Sequence, residues 1–170
     1  ESPIASKYRN SGQTCVCVNR ILVQRGVADA FEAKLAAAVN ALQVGPGIAA
    51  GTTQGPLIDE KAVEKLEEHI ADALTKGGRV VAGGKRHPLG HSFFEPTVIG
   101  GATADMMLAK EETFGPLAPL FVFDTEDEAL ALANDTEVGL AGYFYTRVLS
   151  RARRVGEALG VVRSNRGKAA

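Results

Sequence analysis

The sequence predicts an α/β fold: a mainly parallel sheet with helices on both of its faces. Two observations carry this expectation. Short β-prone runs alternate with helix-period runs from one end of the chain to the other, and that alternation favours right-handed strand–helix–strand crossovers, which make parallel sheets. The most apolar strand candidate, Leu117–Phe123, leads directly into Thr125-Glu-Asp-Glu128, a pattern that caps a helix start.

Asn19–Gln24 is the first β-prone run, and Val27–Leu42 follows with Phe31, Leu35, Val39 and Leu42 at helical spacing. After the Gly/Pro-rich stretch Gly45–Pro56, the residues Val63, Leu66, Ile70 and Leu74 lie on one face of a second helix. Gly77-Gly78 should stop that helix near Lys76. Val80-Val81-Ala82 reads as a buried strand, Gly83–Ser92 as a surface loop, and Phe93–Ile99 as extended. Glu126–Asn134 should be helical, Leu140–Thr146 extended and Ser150–Leu159 helical.

At 170 residues the chain is expected to form one compact domain. A formal charge of −1, without a basic stripe interleaved with aromatics, argues against a nucleic-acid partner. Apolar runs are too short for a membrane span. Glu1–Lys7 lack the pattern of a secretory signal, and Cys15 and Cys17 are too close in sequence to staple a fold. The expected location is the cytoplasm.

Ser6–Arg20 is the most informative segment: a polar, glycine-containing turn that presents the thiol of Cys15 ahead of a strand. A thiolate is a strong nucleophile where backbone amides or cations lower its pKa, and Arg9 and the turn's own N–H groups are candidate sources. On position alone a buried structural cysteine is the commoner outcome, whereas for Arg9 a solvated surface side chain is about as common as a binding one. Asn10-Ser-Gly-Gln-Thr-Cys15 resembles the cysteine signature of the aldehyde dehydrogenase superfamily. Lys110-Glu-Glu-Thr-Phe-Gly-Pro116 resembles that family's cofactor-contacting segment, and Asn134–Ala141 and Gly55–Ile58 are similar to further family blocks. The likeness runs from about Ile4 to Leu159, and residues 160–170 read as a divergent tail. Tyr8-Arg9-Asn10 and the Cys15/Cys17 pair look like the succinate-semialdehyde dehydrogenase branch.

The resemblance implies a partial catalytic domain of an NAD- or NADP-dependent enzyme. Cys15 would be the nucleophile and Arg9 the anchor for a distal substrate carboxylate, with Glu112 and Phe114 facing the cofactor. Without the resemblance, Glu112 reads as a loop carboxylate and Phe114 as a core aromatic. Family members are much longer than this chain, so no cofactor is expected to bind it tightly and the isolated chain should be inactive. The expected partners are a small aldehyde and further copies of the chain. Val161-Val162 should expose apolar surface and favour self-association. Two rival readings stand beside this one, a cofactor-independent thiol esterase and a non-catalytic assembly domain.

Cys17, two residues after the nucleophile, is a candidate redox partner; on an extended strand the pair would need a local turn to form a strained, readily reduced disulfide. His87 and His91 with the two cysteines make up a zinc-type ligand set, but they sit in a distant loop, so no metal site is expected. His69, one turn from Lys65 and Ala73, is expected to face solvent.

Overall fold

The computed structural model describes residues 2–137, 139–160 and 163–168. Val161 and Val162 lie outside the described residues. The chain divides into two compact units, Glu1–Val122 and Phe123–Ala170.

The first unit contains α1 (Ser2–Lys7), β1 (Ile21–Gln24), α2 (Arg25–Asn40), α3 (Glu60–Thr75), β2 (Arg79–Ala82), β3 (Thr97–Gly100), the short α4 (Met107–Lys110) and β4 (Leu117–Phe123). Its sheet has the order β1-β4-β3-β2. β3 and β4 are parallel, Thr97 opposite Leu117 and Ile99 opposite Pro119, whereas β2 joins β3 antiparallel at the edge.

Strand alternation sends successive side chains to opposite faces, and the two buried clusters follow that rule. Ile99, Leu117 and Phe121 pack with Val63, Leu66, Ile70 and Ala73 of α3. Their neighbours Val98, Ala118 and Leu120 pack with Leu35 and Val39 of α2. The sheet thus carries helices on both faces, as predicted. The Asp59 carboxylate caps α3 by accepting from the Ala62 amide at 2.9 Å. At the other end Gly78 N–H donates to the Ala73 carbonyl at 2.8 Å and Gly77 adopts φ 89°, which closes the helix where the glycine pair predicted.

β2 corrects one expectation. Only Ala82 of Val80-Val81-Ala82 is buried, because β2 is an edge strand with an irregular register between Val80 and Ala82. The sequence also gave no sign of α1 or α4, both shorter than two helical turns.

The second unit contains α5 (Glu126–Asn134), β5 (Ala141–Thr146), α6 (Leu149–Ala158) and β6 (Arg163–Lys168). β5 and β6 pair in parallel, joined through α6. Thr125 Oγ1 accepts from Glu128 N–H at 3.2 Å, and the Glu128 carboxylate accepts from Asp124 N–H at 2.8 Å, so the predicted capping box reaches one residue further back. Glu126 accepts from Arg151 and Arg154 at 2.9 and 3.0 Å, which ties α5 to α6. No helix among the described residues is long and apolar enough to cross a membrane.

Candidate active site

Asn10, Ser11 and Gly12 hold three consecutive positive φ angles, 50°, 55° and 73°. L-residues pay for this conformation, so contacts from elsewhere must hold it. They come from the Gly55–Ile58 segment and from the 113–116 loop. Ser11 Oγ donates to the Gly55 carbonyl at 3.0 Å, and Gln13 Nε2 to that of Pro56 at 3.2 Å. In return Gln13 Oε1 accepts from the Ile58 amide at 2.8 Å. Gly12 lies so close to the backbone of Gly115 that a Cβ would stand 2.0 Å from its carbonyl oxygen. Behind the turn, Tyr8 Oη donates to the Thr97 carbonyl at 2.7 Å, and buried Gln54 donates to the Tyr8 carbonyl at 2.8 Å. Three of the segments singled out in the sequence, around Asn10–Cys15, Gly55–Ile58 and Lys110–Pro116, therefore converge in space.

The turn presents Cys15 to solvent and buries Cys17. Cys17 lies in a tight turn, its N–H donating to the Thr14 carbonyl at 2.9 Å, with Sγ 2.9 Å from Thr14 Oγ1. The first strand begins only at Ile21, so the premise that the two cysteines occupy an extended strand is incorrect. Among the described residues the Cys15 amide has no hydrogen-bond acceptor, and it is available to a developing oxyanion. Arg9 is exposed on the same turn, and its guanidinium has no partner among the described residues.

Glu112 and Phe114 are both exposed, Phe114 at 43 %, on either side of buried Thr113. Phe114 is thus not the core aromatic that its residue type would favour. Thr113 is held from two directions. Fully buried Lys7 lies with Nζ 3.4 Å from the Thr113 carbonyl, and His69 Nδ1 lies 2.7 Å from Thr113 Oγ1. Burial lowers the Lys7 pKa to about 8, opposed in part by nearby Cys17 and Glu112. Burial and the Lys65 charge also lower the pKa of His69, against the pull of Glu111.

His69 corrects the expectation of a solvent-facing side chain: it is fully buried. Ala73, one turn further along α3 and also buried, was the available signal. Lys7 was missed because no periodic pattern marks it.

Residues 1–169 match the model of the aldehyde dehydrogenase family, including residues that the sequence motifs left unassigned. The 3-sulfolactaldehyde dehydrogenase of Pseudomonas putida is 62 % identical over 159 residues, 94 % of this chain and 33 % of that protein. The NADP(+) succinate-semialdehyde dehydrogenase of Escherichia coli K12 is 60 % identical over 169 residues, 98 % of this chain and 35 % of that protein. The crystal structure of succinate-semialdehyde dehydrogenase from Burkholderia pseudomallei superposes with a TM-score of 0.95 at 61 % identity, over 96 % of this chain and 34 % of that one. The chain thus spans about a third of the length of these relatives. It belongs to the aldehyde dehydrogenase family.

Proposed function

We propose that this chain supplies the nucleophile to an NAD(P)-dependent dehydrogenase of short aldehydes that carry an anionic group at the far end, succinate semialdehyde foremost. The convergence of three distant segments around the exposed Cys15 carries this reading. Sulfolactaldehyde and succinate semialdehyde, named in two relatives, share an aldehyde and a distal anion. The exposed Arg9 guanidinium, which has no partner among the described residues, suits a sulfonate or carboxylate through a two-pronged hydrogen bond.

Cys15 thiolate adds to the aldehyde carbon, and the Cys15 amide donates to the resulting oxyanion. Exposed Glu112 fits as an acceptor for ribose hydroxyls, and exposed Phe114 as a wall beside a flat ring. When bound, the nicotinamide supplies the hydride acceptor. The thioester left on Cys15 is released as the acid by water.

The test is nicotinamide reduction at 340 nm by the polypeptide that carries this chain, with succinate semialdehyde and either dinucleotide. Cys15→Ser should lower kcat by more than about a thousandfold. Arg9→Ala should raise KM for the semialdehyde by about ten- to a hundredfold, and much less for an uncharged aldehyde of the same length. Equal loss on both aldehydes would remove Arg9 from the anion site.

A further inference from the structure

We infer that Lys7 and His69 are positioning residues that clamp Thr113 from its two sides and so set where Glu112 and Phe114 stand beside the Cys15 turn. This rests on the proposed role of Glu112 and Phe114 toward the dinucleotide, and adds the device that aims them.

Lys7 ends α1, immediately before the turn, while Thr113 lies between β3 and β4. The Lys7 ammonium reaches across to the Thr113 carbonyl. From a second element, α3, His69 Nδ1 lies 2.7 Å from the Thr113 hydroxyl oxygen. Backbone and side chain of one residue are thus fixed by two different helices. The Thr113 carbonyl also accepts from Gly115 N–H at 3.0 Å, and with Thr113 held inward both of its neighbours, Glu112 and Phe114, are exposed.

The arrangement is expensive to build. A buried ammonium and a buried imidazole each lose hydration that an apolar pair would never have needed. Among the described residues His69 Nε2 has no hydrogen-bond partner, a Glu111 carboxylate oxygen standing 3.6 Å away. Satisfaction on this imidazole is concentrated on Thr113. Lys7 also lies within electrostatic reach of Cys17 and Glu112, so one charge sits beneath the cysteine turn and the dinucleotide-facing carboxylate together.

The test measures NAD+ and NADP+ affinity by titration calorimetry, without aldehyde, in the polypeptide that carries this chain. Lys7→Met keeps the apolar stem, and Thr113→Val keeps the shape of the threonine while removing its hydroxyl. Each should weaken the preferred dinucleotide about five- to tenfold, as small misplacements of binding groups do. Combining Lys7→Met with Glu112→Gln should cost clearly less than the product of the single losses, because both act through one contact. The iodoacetamide reaction of Cys15 should keep its wild-type rate in the absence of dinucleotide. A folded Lys7→Met variant that binds dinucleotide like wild type would overturn the inference. So would a double variant whose loss equals the product, which is the signature of general loosening. Should Lys7→Met fail to fold, unchanged affinity in Thr113→Val overturns the clamp by itself. If Glu112→Gln and Phe114→Ala both leave affinity unchanged, the dinucleotide role of the loop falls, a result distinct from failure of the clamp alone.

Discussion

Lys7 sets the clearest pH signature in the molecule. Its pKa falls from 10.5 in the unfolded chain to about 8 in the folded one. Between those values the unfolded chain holds a proton that the folded chain has released, so stability rises with pH across the window. Below about 8 the full cost of a buried ammonium applies. The Tyr8 phenol, its pKa pushed up from 10.0 by burial, works in the opposite direction above pH 10. The window to examine is therefore pH 8 to 10. Denaturant titrations should find wild type gaining about 2 kcal/mol across it relative to Lys7→Met. Parallel profiles for the two proteins would mean that Lys7 is not held as the structure has it. Such a residue is opaque to sequence reading. Its partner lies 106 positions away, and nothing near Lys7 announces that contact. Cys15 stands out in the sequence because the residues before it form a local motif, and in the structure its thiol is exposed.

Among the elements, those with a strong period or a local cap were legible. Leu117–Phe123 and Glu126–Asn134 match prediction at both ends, and α3 stops at its glycines. α2 is displaced by two residues at each end, running Arg25–Asn40 where Val27–Leu42 was expected, a boundary that packing rather than pattern decides. The left-handed turn before Cys15 was not legible, because Asn10 and Ser11 adopt positive φ only under contacts from two other segments. Gly12 is the element's tightest point. Replacing it with alanine drives a methyl into the Gly115 carbonyl and adds strain at φ 73°. The change should cost about 2–4 kcal/mol in urea unfolding of the first unit. Gly47→Ala, where a Cβ meets nothing within 4 Å, should be close to neutral. Similar costs at both positions would show that the close approach of Gly12 to Gly115 is not tight.

At the scale of the whole molecule, stability is unevenly shared. Both buried apolar clusters belong to the first unit, and no described side chain between Phe123 and Gly160 is fully buried. The second unit relies on the β5–β6 ladder and on half-buried contacts, and its described surface ion pairs, such as Glu126 with Arg151 and Arg154, contribute little in water. Amide exchange followed by mass spectrometry should therefore protect peptides covering Thr97–Gly100 and Leu117–Phe121 by roughly a hundredfold or more over those covering α5 and α6, a gap of about 3 kcal/mol in opening free energy. Equal protection would require burial in the second unit that the described residues do not have.

The left-handed turn also dictates an order of events during folding. Its conformation is unfavourable alone and is supported by bonds to Gly55 and Pro56, 44 and 43 residues along the chain. Closing such loops carries an entropic cost that must be met before the contacts form. The Cys15 turn thus assembles after the helices and the β3–β4 pair that carry its supports. Newly made chains would acquire secondary structure first and a correctly presented thiol last. The rate of Cys15 alkylation after dilution from urea would then lag behind the far-ultraviolet dichroism.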